Sequence, residues 1–140
     1  MTNTKELKSY VEDLVYLTHF FQQPLSEVFQ QSRSEVLGPK VAVCDAEESS
    51  VIQACELMEA TIDATPVIIG SPTALYSTCS AFTVETSNAQ LFDCDVEYAG
   101  ALCGFPCFVA RQMPHETVYI VSTDKRFADL VKTELRLVRG

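Results

Sequence analysis

The chain has no tryptophan, five glycines and six prolines in 140 residues, and its nineteen carboxylates face only ten lysines and arginines. Each shortage removes a class of protein. So little glycine and proline, set against 47% hydrophobic residues, excludes collagen-like repeats, low-complexity tethers and a disordered chain. A net charge of −9 with the basic residues scattered speaks against nucleic acid, whose binding depends on cations displacing counterions, and against an anionic membrane surface. The five tyrosines do not interleave with basic residues, so no base-stacking platform is indicated. Apolar runs such as Pro66-Val67-Ile68-Ile69 fall far short of the ~20 residues of a membrane span. No apolar leader core follows Met1, and the expectation is a cytoplasmic protein with no membrane partner.

What is present fits one domain. Apolar residues from Leu7 to Phe21 recur at helical spacing, so a helix is expected over Lys5–Gln23, stopped by Pro24. A second helix runs from Ser26 to about Leu37, where Gly38-Pro39 stops it. The first 37 residues thus read as a helical arm and residues 38–140 as a mixed core. Lys40–Cys44 reads as a buried strand, Val51, Ile52, Cys55, Leu57 and Met58 as the apolar face of a helix, and Val67-Ile68-Ile69 as a second strand. That order predicts a βαβ unit with the two strands paired in parallel. A short helix over Thr73–Ser80 follows, then strands at Ala81–Val84 and Leu91–Tyr98 flanking a polar loop. Cys107–Arg111 and Thr117–Val121 read as an antiparallel hairpin across Gln112–Glu116. Phe127, Leu130 and Val131 mark a helix, and Leu135–Val138 a last strand. The fold class is α+β: a helical arm, a short βαβ unit and a C-terminal hairpin in one core.

Residues that might carry chemistry are few. Cys103-Gly104-Phe105-Pro106-Cys107 brings two thiols four residues apart, whereas a redox pair usually has two intervening residues at a helix N-terminus. A structural turn is the first expectation there and a redox pair the second. The other cysteines sit in apolar stretches and read as buried free thiols. Only His19 and His115 supply imidazoles, so no metal site is expected. No Gly-rich phosphate loop and no G-x-S-x-G elbow occurs, and no catalytic set or cofactor is assigned. Asp45, Gly70, Ser71 and Asp124 fall at expected strand ends, where open α/β sheets bind ligands. Asp45 and Asp124 with Asp129 also resemble the acidic cluster of PIN-like metal-dependent nucleases, although Lys125-Arg126 stands where that family has a further acid. Helix capping is the simpler role for these aspartates.

Two longer stretches are similar to known families. Gly38–Leu75, with the strand Val41–Cys44, the acidic turn Asp45–Glu48, the helix Val51–Ala60 and the strand Pro66–Gly70, resembles the start of phosphate acetyl- and butyryltransferases, over about a quarter of the chain and without their later substrate segments. From Val51 to Val121 the order of motifs resembles the core domain of tailed-phage major capsid proteins. It comprises a helix, the strand ending Gly70-Ser71-Pro72, a short helix, Gly104-Phe105-Pro106 leading into a strand, and a Met113-Pro114 turn into another. The chain is about half a usual capsid protein and has no evident extended hairpin loop. That resemblance implies a non-enzymatic structural or assembly protein, in the cytoplasm or a virion, partnered by itself or another assembly protein. Its interface would be the arm's apolar face: Leu7, Tyr10, Leu14, Phe20, Phe21 and Phe29. The alternative is a small α/β enzyme or ligand-binding domain with its site near Asp45, Gly70, Ser71 and Asp124.

Overall fold

In a computed structural model, which describes residues 4–28, 41–61, 65–78, 96–111, 113–114 and 116–139, a five-stranded mixed sheet lies between two layers of helices. The elements are α1 (Thr4–Phe21), α2 (Leu25–Val28), β1 (Val41–Asp45), α3 (Glu48–Thr61), β2 (Val67–Gly70), α4 (Pro72–Thr78), β3 (Val96–Leu102), β4 (Phe105–Ala110), β5 (Thr117–Val121) and α5 (Lys125–Arg139). The α+β class holds. In the sheet order β1-β5-β2-β4-β3, only β2 and β4 pair in parallel; β5 is antiparallel to both β1 and β2, and β3 to β4.

Strand periodicity explains the layers, because successive side chains leave opposite faces. Val67 and Ile69 of β2, Tyr119 and Val121 of β5, and Phe108 and Ala110 of β4 join one core with α1, α2 and α5. Ile68, Val118, Ile120, Cys107 and Val109 join the other with α3 and α4. Strands covered on both faces read as unbroken apolar runs rather than alternating ones, as β2 and β5 do.

Two expectations fail on strand neighbours rather than on strand existence. The β1–α3–β2 unit runs in one direction, but β5 is inserted between its strands, which are therefore not paired. The expected hairpin of 107–111 with 117–121 is absent because β2 separates β4 from β5. Two-sided burial of β2 and β5 drives both outcomes, since each can satisfy its backbone only in the sheet interior. The hairpin that does form is β3–β4, closed at Leu102↔Phe105 by Cys103 and Gly104. Pro106 is tolerated there because pairing to β2 begins one residue later, at Cys107. The predicted last strand, 135–138, is the end of α5. β1 is an edge strand with Val43 exposed, not a buried one, and Leu57 is exposed rather than on the packed face of α3. The second helix beyond Val28, the strand at 81–84 and residues 91–95 lie outside the described residues.

Within the described part of the arm, α1 does not project. Val11, Leu14, Val15 and Leu17 of α1 are fully buried against the sheet and α5. The helix closes with a Schellman motif, in which the Gln22 N–H donates to the His19 carbonyl and the Gln23 N–H to the Thr18 carbonyl, with Gln22 left-handed at φ 52°. No described helix is long and apolar enough to cross a membrane.

Cys103 (φ 50°) and Gly104 (φ 86°) have the φ pair of a type I′ turn, which favours Asn-Gly. A Cβ on Gly104 would meet nothing within 4 Å, so its substitution tests the backbone alone. Cys103→Asn is expected to raise stability by about 0.5 kcal/mol and Gly104→Ala to lower it by about 1 kcal/mol. Urea midpoints that move in the same direction for both would contradict the turn assignment.

Candidate functional site

Strand direction decides the fate of the strand-end site. β1, β2 and β4 run together, so Asp45 and Gly70 lie at one end of the sheet, opposite Thr117 and Val118 of β5. Asp124 follows Val121, which pairs with Val41 and Val67 at the other end. The length of a strand, about 14 Å at ~3.3 Å per residue, separates them. The four residues therefore do not make one site, and Asp45 does not join Asp124 and Asp129 in a nuclease-like acidic cluster.

Ser71, Gly70 and the Asp124 backbone have local structural tasks. Ser71 caps α4: it is fully buried, its hydroxyl accepts the Ala74 N–H at 3.0 Å, and its carbonyl accepts that of Leu75. Pro72 follows at the first helical position, where its missing N–H costs nothing. At Gly70 a Cβ would stand 3.2 Å from Leu75 Cδ2, so this glycine permits the close approach of α4 to β2. Asp45 is exposed. Asp124 immediately precedes α5, and its carbonyl accepts the Ala128 N–H at 2.9 Å while its own N–H donates to the Ser122 hydroxyl. The Tyr10 hydroxyl donates to the Ser122 carbonyl at 2.7 Å, tying α1 to the exit of β5. Burial, reinforced by the Asp124 charge, pushes the Tyr10 phenol far above its ordinary range.

The thiols separate in the same way. Cys103 is exposed in the turn, whereas Cys107 is buried on β4 opposite Gly100. Extended backbone sets them on the order of 10 Å apart, beyond disulfide reach, and the redox pair is not assembled. Cys55 of α3 sits close enough to Cys44 and Cys107 to feel both. Burial, with a smaller push from Asp45, raises Cys44 to about 11. Burial first, then Cys107, Cys44, Glu59 and Glu56, raises Cys55 to about 12. Both are protonated, non-nucleophilic packing groups at neutral pH. Among the described residues no group of three or more His, Cys, Asp or Glu could hold a metal ion.

Of the expected interface residues, Leu14 is in the core, and Leu7 and Tyr10 pack against it. Phe29 lies outside the described residues. Phe20 and Phe21 remain exposed, edge to face with each other, and Phe20 stacks on Tyr16. The Arg139 guanidinium lies 4.5 Å from the Tyr16 ring centroid. Asp13, whose nearest opposing charges are Arg139 and Lys132, is nonetheless raised by burial. An open groove of about 500 Å³ lies at the end of α1, lined by His19, Gln22, Leu25, Met113 and Tyr119 among others.

No family model, curated protein or solved structure matches this chain. The surface therefore has to be read from its own chemistry, and its main feature is a separation of charge. From residue 41 to 110 there is no Lys, Arg or His, while ten of the nineteen carboxylates fall there. Five of these, Asp45, Glu47, Glu48, Glu56 and Glu59, are exposed on or beside α3. Between α3 and α4 runs an open groove of about 680 Å³, lined by Glu47, Glu48, Ile52, Gln53, Glu56 and Thr78 among others. On the opposite layer, α5 carries half of all the basic residues, Lys125, Arg126, Lys132, Arg136 and Arg139, against Asp129 and Glu134. All five are exposed. The basic residues are thus not scattered. The run of seventy residues without a cation was visible in the sequence, but its meaning depends on which helices share a layer.

Ser71→Ala should cost about 1 kcal/mol as a lost helix cap, while exposed Asp45→Ala should stay within about 0.5 kcal/mol; equal losses in denaturant titrations would contradict these roles. In a background with Cys79 and Cys94 replaced by serine, Cys103 should label rapidly, and Cys55 and Cys107 only on unfolding. Because unfolded thiols ionise in the ordinary range while folded Cys44 and Cys55 hold their protons to about 11 and about 12, stability should fall as pH rises from the ordinary thiol range toward those values. A Cys55→Ala chain that kept the full slope would refute that assignment.

Proposed function

We propose that this chain is a non-enzymatic structural or assembly protein that acts through protein–protein contacts and associates with itself. This is the role of capsid core domains, whose order of motifs it resembles from Val51 to Val121. It would work in the cytoplasm or within a virion. The observation that carries the reading is that both outer helical layers hold large exposed apolar side chains among charged ones. Leu57 and Tyr76 are 64% and 65% exposed on the α3/α4 layer, and Leu137 is 73% exposed on α5. Such anchors rimmed by polar groups have the anatomy of interface centres rather than of catalytic clefts. The wide separation of Asp45 from Asp124 and the protonated state of Cys44 and Cys55 give the enzyme alternative no convergent set among the described residues.

Burial of α1 changes how the association would work. Val11, Leu14, Val15 and Leu17 of α1 are covered by the chain's own sheet, so the surface offered to a partner is the outward faces of the helices, with Phe20 and Phe21 at the end of α1. Sedimentation velocity of the full chain at low ionic strength, from micromolar to near-millimolar concentration, should show concentration-dependent growth of the weight-average mass. A monomer throughout that range would overturn the reading.

A further inference from the structure

We infer that successive copies dock head to tail, the basic outer face of α5 from one copy entering the acidic α3/α4 groove of the next. The inference rests on the self-association proposed above and names the two surfaces that meet. Three observations carry it.

The first is charge. The outward stripe of α5 presents Lys125, Lys132 and Arg136, with Lys125 held 3.3 Å from Asp129 one turn on. The groove it would enter is bordered by Glu47, Glu48 and Glu56 and has no cation anywhere in its own half of the chain. The second is the position of the two faces. α5 packs on one side of the sheet and α3 with α4 on the other, so a sheet and two helical layers, each pair spaced about 10 Å apart, lie between the two sets of charges. That exceeds the ~8 Å Debye length at physiological ionic strength. One molecule cannot neutralise its own faces, whereas two molecules can. The third is apolar content on the same two layers: Leu137 is exposed on α5, and Leu57 and Tyr76 are exposed on α3 and α4. Exposed apolar side chains on both layers supply the desolvated contact that charge pairs alone lack.

Because the two faces differ and lie on opposite layers, the contact is heterologous. It repeats into an open filament, or closes into a ring if the rotation between copies allows. A two-fold dimer would instead bring like charges together, α5 against α5 or α3 against α3.

The test uses two charge-reversal variants of the full chain, each confirmed folded by circular dichroism and thermal melting. Lys132→Glu with Arg136→Glu makes both faces acidic, and Glu47→Lys, Glu48→Lys and Glu56→Lys together replace every glutamate lining the groove and make both faces basic. Alone, each should associate at least about tenfold more weakly than the wild-type chain, as like-charged interfaces do. Mixed in equal amounts they should assemble again, alternating along the chain, because every contact then pairs opposite signs. High salt should dissolve both the wild-type and the mixed assemblies. If the wild-type chain associates and the variants associate equally well, the head-to-tail contact is wrong while the self-association stands. If each variant is monomeric and the mixture stays monomeric, the faces do not meet each other, and a different partner occupies them. If the wild-type chain itself never associates, the broader reading falls too.

Discussion

The placement of β5 between β1 and β2 is the constraint on which the rest of the molecule depends. Thr117–Val121 is bonded along both edges and covered on both faces, so it fixes the direction of its neighbours, the composition of both cores and the end of the sheet from which α5 departs. Its partners are about fifty and seventy-five residues earlier in the chain. Closing such long loops is unfavourable until the contacts exist, so the sheet is completed late, by a strand that cannot pair locally. From this insertion it also follows that Asp124 leaves at the end opposite Asp45, which divides the acids that sequence position alone had grouped.

The sequence was informative about elements and uninformative about neighbours. The apolar runs at 67–69 and 117–121 identify strands because only two-sided burial accounts for them, but a run buried on both sides carries no mark of which strand lies beside it. Proximity along the chain is then the only available guide, and it pairs each run with its nearest strand, giving the βαβ pair and the hairpin that β5 and β2 interrupt. Leu135-Arg136-Leu137-Val138 alternates like a strand, yet Leu135 and Val138 continue the helical series begun by Phe127, Leu130 and Val131, and they pack on the same core. There the shorter period masked the longer one. For the candidate site, Ser71 and Asp124 were legible as polar residues at element ends, and capping accounts for Ser71. The arm's apolar stripe was legible too, but periodicity shows that a face will be buried and not by what.

The net charge of −9 conceals a more informative distribution. The ten basic residues meet nine carboxylates outside residues 41–110, so that part of the chain is close to neutral and the central half carries nearly all the excess. Folding then sorts the remainder, because the two helices with the greatest contrast sit on opposite layers. A uniform acidic surface would repel every copy of itself, whereas a divided one has a preferred direction of approach.

Arg139 and Tyr16 reveal one more property of the helical layer. Tyr10 meets Ser122, just before α5, and Tyr16 meets Arg139, at its end, so α1 and α5 point the same way. Parallel neighbours align their peptide dipoles and bring two partial negative charges to one end, an arrangement that is mildly repulsive. Arg136 and Arg139 occupy the last turn of α5 and His19 that of α1. The guanidinium of Arg139 is a counter-charge for the carbonyl end of α5, and its contact with the Tyr16 ring ties the last turn of α5 to α1 in an orientation that the dipoles alone would resist.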